Sequence, residues 1–286
     1  VVPNENYAGE AERLVSRYRN PDNVDAAFSK LRSDWNEYLS AISVKTPDDD
    51  MNTMLNVWNQ YQTSVTFRFS RDASYYHGGL LFGRGYRDSC QDLMGPVIAK
   101  PEWVRERILE MSRYQFSDGS TFHLYFPLTG GGERTGHSDT PLWLPLAIMT
   151  YLKETGETGL LQMRTTFYDK VEGTILEHLY AAIDFTRSNL TSRKLAKFGP
   201  GDWNDTLDYL GRKGRGESIW VTMFLAYILR ETVELCRFIG DTRRMEQYEE
   251  EYHAVSEALN LLCWDGAWYI RGTTDEGAVI GSAKNT

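Results

Sequence analysis

Apolar residues near the start of the chain recur at three- and four-residue spacing. Phe28, Leu31, Trp35, Tyr38, Leu39 and Ile42 fall on one face of a helix. "KTPDDD" (Lys45 to Asp50) breaks that helix, and Pro47 followed by acidic residues suits the start of the next. From Met51 the text becomes an aromatic-rich helix, "MNTMLNVWNQYQTSVTFRF", so a domain boundary is expected near residue 48. The periodicity then predicts helices over Asp88–Ala99, Glu102–Gln115, Pro141–Glu154, Gly173–Ser188, Glu217–Ile239 and Thr242–Leu262. Between them lie long Gly-rich, aromatic-rich stretches such as "DGSTFHLYFPLTGGGERTGHSD" and "FGPGDWNDTLDYLGRKGRG". Helices alternating with long decorated loops predict an all-α toroid whose loops gather at one end, and such loops are more often functional than decorative. No internal repeat and no low-complexity segment stands out.

Composition narrows the function classes. With 41% hydrophobic and 25% charged residues over 286 positions, the chain can bury a sizeable core. A formal net charge of −9 argues against nucleic acid and anionic membranes as partners, since both need clustered Lys and Arg. No apolar run reaches the roughly 20 residues that span a bilayer. "VVPNENYAGEAERL" shows no secretory signal, and three widely spaced cysteines (Cys90, Cys236, Cys263) form no CxxC pair. Reduced thiols in a cytoplasmic protein follow as the expectation.

Several clusters carry chemistry, each with a plainer reading. In Asp202-Trp203-Asn204-Asp205 an acid sits beside an indole on a constrained loop. That pairing suits acetal cleavage, where a carboxyl gives a proton while an aromatic face holds the sugar. The same residues also suit a helix cap or an Asx turn. Glu217 and Ser218, in "GRGESIW", either serve the first turn of a long helix or reach the sugar site. Arg87 beside Asp88 reads as a surface ion pair or as part of the site. Arg71, next to small residues and a tyrosine pair, reads as a fork for phosphate. His77 is either a satisfied core histidine or a proton carrier. "TGGGERTG" lacks the GK[ST] ending of a phosphate loop. His123 and His137 have no carboxylate at helical spacing, so no metal site is expected.

Taken together and in order, "SRDASYYHGG", "GRGYRDSCQD", "QFSDGSTFH", "SDTPLWLPLAIMTYLKETGE", "GDWND" and "GESIW" resemble glycoside hydrolase family 94. This family comprises inverting sugar phosphorylases such as cellobiose and chitobiose phosphorylase, with relatives in cyclic β-glucan synthesis. The likeness runs from about Met51 onward. It implies residues 1–48 as a helical linker and 49–286 as the N-terminal part of an (α/α)6 catalytic barrel. It also implies phosphorolysis of a cellobiose-like β-linked gluco-disaccharide to α-glucose 1-phosphate. Asp205 matches the general acid, and Trp203 a sugar-contacting indole. Arg87, Asp88 and Glu217 fall at sugar-binding positions, and Arg71 matches a phosphate-binding arginine.

The ligands implied are a small sugar and inorganic phosphate as co-substrate. No cofactor is implied, and the full-length protein is expected to be a homodimer. Two positions depart from the family pattern. Phe82 stands where an arginine is expected six residues before Asp88, with Arg84 nearby, and Asp139-Thr140 replaces a paired aspartate before "PLWL". The family also carries a β-sandwich before the linker and further barrel helices, with phosphate-binding histidines, later on. A fragment is therefore expected. The competing readings are a cellobionic-acid, cellodextrin or β-1,2-glucan phosphorylase, an inverting hydrolase, and a carbohydrate-binding toroid without turnover.

Overall fold

A computed structural model describes residues 7–69, 83–127 and 129–285. Helices α1 (Tyr7–Tyr18) and α2 (Pro21–Leu39) lead the chain. Pro21 opens α2, and the Asn20 side chain accepts from the Asp22 amide to cap it. Only the C-terminal end of the predicted apolar stripe is covered. Phe28 and Leu31 are exposed, whereas Tyr38 is buried and stacks on Trp103 with centroids 5.7 Å apart. The buried Gln60 amide also donates to the carbonyls of Leu39 and Ile42, which ties the segment before residue 48 to the helical stretch after it. That stretch is continuous: α3 (Asp49–Thr53), a π turn (Met54–Trp58) and α4 (Asn59–Phe69), with Asp48 capping its start.

The remaining helices are α5 (Tyr86–Asp92), α6 (Pro101–Arg113), α7 (Trp143–Thr155), α8 (Ile175–Ser188), α9 (Ile219–Ile239) and α10 (Thr242–Leu262). Their order in space alternates between two layers. Helices α5, α7 and α9 lie side by side, α6 packs against α8, and α10 lines α9. Sequence explains the assignment, because "WLPLAIMTYL" in α7 is apolar nearly all round and has neighbours on most sides. The core joins Tyr86, Cys90, Ile108, Met111, Leu144, Ile148, Leu179, Ile183, Leu225 and Leu229. The three cysteines are free and buried. No helix among the described residues is long and apolar enough to cross a membrane.

Local signals set most helix ends. Thr174 and Glu177 form a reciprocal capping box on α8, and Gly156 and Gly240 close α7 and α9 with positive φ. One boundary differs from expectation by more than two residues. The helix predicted to run to Ala99 stops at Asp92, because Gly95-Pro96 cannot continue it.

The loops are also more ordered than an all-α reading implies. They pair into small antiparallel ribbons, the first joining β1 (Arg84–Gly85), β2 (Leu124–Phe126) and β3 (Gly131–Glu133). The second pairs β4 (Arg164–Thr166) with β5 (Glu172–Thr174), and the third joins β6 (Glu217–Ser218), β7 (Gly272–Thr273) and β8 (Val279–Ile280). The first and third ribbons brace the loops at the N-terminal ends of α5, α7 and α9. "TGGGERTG" forms β3 there, in keeping with its rejection as a phosphate loop.

Candidate active site

The loop before α9 is closed by backbone bonds at its base. Phe198 N donates to Gly216 O at 2.7 Å, and Ser138 N donates to Gly201 O at 3.0 Å. Glycine is required at this closure, since a Cβ on Gly216 would lie 2.4 Å from the Leu210 carbonyl oxygen. Asp202 anchors the loop from inside. It is fully buried and accepts from Asn204 N at 2.9 Å, from Ser218 Oγ at 2.6 Å, and from Arg271 Nη2 at 2.7 Å on each oxygen. Ser218 Oγ also accepts from Val221 N and so caps α9. The Asx turn foreseen for this stretch is present, but no helix follows it directly.

With Asp202 turned inward, Trp203 and Asp205 face outward. The Trp203 ring is half exposed and stacks on Trp220 with centroids 6.0 Å apart, and Trp220 leans on Trp143. Asp205 leaves 58% of its side chain exposed, and both its oxygens accept from Arg87 Nη2 at 3.1 Å. Arg87, from the first turn of α5, is buried rather than on the surface. Its Nη1 donates to Asp139 Oδ2 at 3.3 Å and to Trp203 O at 3.2 Å. Burial opposes its charge, but Asp139 and Asp205 more than offset this and hold the guanidinium cationic. Asp139 also accepts from Trp143 Nε1 at 2.9 Å, and its Oδ1 is buried without a partner. Burial pushes its carboxyl above the usual range.

A histidine pair completes the setting. His123 and His137 stack in parallel, 4.0 Å between centroids and 16° between planes. One ring nitrogen of each histidine and an Asp205 oxygen lie within 4.8 Å of one another. His137 Nδ1 is 2.6 Å from Thr135 Oγ1. Burial lowers the pKa of both imidazoles: His123 falls to about 4 with His137 and Arg87 adding to the effect, while at His137 the carboxylates of Asp139 and Asp205 oppose it. Gly201 packs against the His137 ring, where a Cβ would meet Nε2 at 2.8 Å.

Of the residues expected from sequence, the fold brings Asp205, Trp203 and Arg87 together. Asp88 lies in the first turn of α5 with its carboxylate over Gly85, and its charge reinforces that of Arg87. Glu217 is held apart from this group. It precedes α9 on β6, and successive strand residues point to opposite sides, so Ser218 reaches Asp202 while Glu217 does not. The Glu217 carboxylate is buried against Thr191 Oγ1 (2.7 Å), Thr273 Oγ1 (3.2 Å) and Arg193 (3.1 Å). Those bonds are a structural engagement, and neither helix-turn nor sugar contact describes it. Arg71, Phe82 and His77 lie outside the described residues.

Sequence reading missed the roles of Asp139, Asp202 and Arg271, and found no carboxylate for the histidines where the fold supplies Asp205. Asp139 had a visible signal in its place before "PLWL". Arg271 had none, since its partner lies 69 residues away.

A half-exposed carboxyl beside an indole can protonate an acetal oxygen, and a buried guanidinium can bind hydroxyls or an anion. Of the carboxylates near Arg87 and on this loop, Asp139 and Asp202 are fully buried and bonded, Asp208 is paired with Arg212, and Asp88 is partly buried in the first turn of α5. Neither Asp139 nor Asp202 is placed to activate a water.

Comparison with known proteins agrees with this geometry. Residues 34–286 match the family model for the glycosyl hydrolase 94 superfamily, catalytic domain. The chain is 34% identical to an N,N'-diacetylchitobiose phosphorylase of Vibrio proteolyticus, across 96% of this chain and 37% of that protein. It is 32% identical to a 3-O-beta-D-glucopyranosyl-beta-D-glucuronide phosphorylase of Paenibacillus borealis, across 88% of this chain and 32% of that one. The chain therefore spans about a third of the length of these relatives. Among solved structures, a rhamnosidase from Klebsiella oxytoca with rhamnose bound has a similar fold. Its TM-score is 0.56 at 14% identity, over 83% of this chain and 43% of that one. The chain belongs to the glycosyl hydrolase 94 superfamily, and its two helix layers are those of an (α/α)6 barrel.

Proposed function

We propose, from membership of this family, that the chain carries the acid-bearing part of an inverting phosphorylase acting on a β-linked disaccharide. The observation that carries the reading is that Asp205 is half-exposed beside the Trp203 indole, while Asp139 and Asp202 behind it are buried and bonded. An inverting hydrolase needs a second carboxyl to activate water. A phosphorylase does not, because phosphate is already an anion. A phosphate oxygen bonds to the anomeric carbon from one face. On the other face the glycosidic C–O bond breaks, and Asp205 gives its proton to the leaving oxygen. Trp203 offers the sugar platform, and Asp88 with Arg87 holds donor hydroxyls. Arg71 grips phosphate. Arg87 now occupies both Asp205 oxygens, so substrate binding has to exchange that pairing for a sugar hydroxyl before the proton can be delivered.

The substrate is a gluco-disaccharide of the cellobiose kind. The relatives' names span N-acetylated and glucuronide sugars, so closely related β-linked disaccharides are the alternatives. The working protein is a cytoplasmic homodimer that needs phosphate and no cofactor. The test is Asp205→Asn in the full-length protein. Loss of general acid catalysis costs about 10²–10⁴-fold in rate, and the loss should shrink with an aryl glycoside whose leaving group needs no proton. Unchanged phosphorolysis of the unactivated disaccharide would remove Asp205 from the mechanism.

A further inference from the structure

We propose that Asp275 is a positioning residue of the active site: its carboxylate holds the far limb of the loop that carries Trp203 and Asp205. That limb, residues 210–216, is bonded to the hairpin of β7 and β8. Lys213 N donates to Asp275 Oδ2 at 2.7 Å, and Arg215 N and Gly216 N donate to Oδ1 at 2.8 and 3.0 Å. Gly214, among them, has a φ of +77°, the reversal that lets neighbouring amides converge on one anion. Asp275 is buried and fills this nest from within the chain. The grip runs both ways, since Asp275 N donates to Leu210 O at 2.8 Å and Arg215 Nε donates to Asp275 O at 3.0 Å.

The hairpin therefore clasps both limbs of the acid loop. Arg271 meets Asp202 on the near limb, and Asp275 takes the far one. The turn of the hairpin is itself fixed, with Thr274 N donating to Ala278 O and Gly277 N to Thr274 O, both at 2.9 Å. A shift of the far limb passes to the near limb by contact. Gly211 lies so close to Phe198 and Gly199 that a Cβ would sit 2.5 Å from Phe198 Cβ, and Phe198 N is bonded to Gly216 O. On its outer side the loop is latched by Arg87, which donates to Trp203 O and to Asp205. On the reading proposed above, substrate takes Asp205 away from Arg87. The position of the acid then depends on the anchors at the base of the loop, and a misplacement of about 1 Å costs about 10²-fold in rate. Anchoring by Asp275 is independent of that reading, whereas its effect on the acid rests on it.

Hydrogen exchange of the full-length protein, read by mass spectrometry without sugar, tests the anchor. Wild type, Asp275→Ala, Asp275→Asn and a control, Glu276→Gln, are compared; Glu276 pairs with the exposed Lys213 side chain. In Asp275→Ala, exchange should quicken about tenfold over residues 210–216, as befits the loss of bonds to a charged group, and should quicken across 198–205 as well. Asp275→Asn keeps one oxygen for the Arg215 and Gly216 amides, so it should fall between Asp275→Ala and wild type. It decides the matter if Asp275→Ala fails to fold. Turnover is then compared on an unactivated disaccharide and on an aryl glycoside whose leaving group needs no proton. In Asp275→Ala, kcat on the disaccharide should fall about 10²-fold and kcat on the aryl glycoside less, with KM for phosphate near that of wild type. A residue serving stability alone would lower both rates by one common factor, through the active fraction. Unchanged exchange across 198–205, or equal loss on the two substrates, overturns the proposal. A wild type inert toward every disaccharide would count against the phosphorylase reading, and the exchange result would still decide the anchor.

Discussion

Replacing Arg271 with methionine tests what holds the acid loop in place. Arg271 meets both oxygens of Asp202 at 2.7 Å, and Asp202 is wholly buried beneath Trp203 and Asp205. Removing one partner of a buried ion pair leaves an uncompensated charge, at a cost of about 3–5 kcal/mol. Two features place this case at the lower end. Arg271 keeps 24% of its side chain exposed, and Asp202 retains the Ser218 hydroxyl and the Asn204 amide. Arg271→Met should therefore cost about 3 kcal/mol, which lowers the thermal midpoint by about 6–12 °C in a domain of this size. Asp202→Asn in the same chain removes the stranded charge, so the double variant should recover about 2 kcal/mol relative to the sum of the singles. Urea and thermal unfolding of the two singles and the double supply the comparison. A loss below about 1 kcal/mol for Arg271→Met, or strict additivity, would refute the clamp.

Three further outcomes are expected from the same structure. His178 is buried against Phe167 and Gln115, and burial lowers its pKa to about 4. Its neutral form is worth about 3 kcal/mol, present above pH about 6.5 and lost as pH falls through about 4. Unfolding midpoints measured from pH 7 to 4.5 should drop more steeply in wild type than in His178→Phe, and parallel curves would exclude this source. Gly201→Ala sets a methyl 2.8 Å from His137 Nε2, so turnover should fall while stability drops by only about 1–3 kcal/mol, read from kcat and the urea midpoint together. Arg71→Lys should raise the KM for phosphate more than that for the sugar, because a point charge replaces a bidentate fork. Equal changes in both constants would make Arg71 structural.

What the sequence revealed divides along contact range. Helices α6 to α10 were legible because apolar spacing, the Thr174 capping box and the Gly156 and Gly240 stops are all local signals. The end of α5 was misread although its signal, Gly95-Pro96, is equally local. Trp203 and Asp205 were legible because two residues apart on one loop is also local.

The remaining features depend on distant chain segments. Arg87 pairs with Asp139 and Asp205 across 52 and 118 residues, and no spacing rule encodes such contacts. The histidine stack lies across a β-ribbon whose register was not foreseen. Glu217 shows the opposite error. Its position beside "GDWND" in sequence suggested nearness, but strand alternation turns it to the far side.

The most direct measurement of the central claim is the fate of a β-linked disaccharide with and without phosphate. Full-length protein, incubated with cellobiose and a small panel of other β-linked disaccharides, is followed by ¹H and ³¹P NMR. The account predicts an α-sugar 1-phosphate formed only when phosphate is present, from at least one member of the panel, with no free-sugar release in its absence. Phosphate-independent release of both sugars would contradict it, because that reaction needs the water-activating carboxylate that neither Asp139 nor Asp202 is placed to supply.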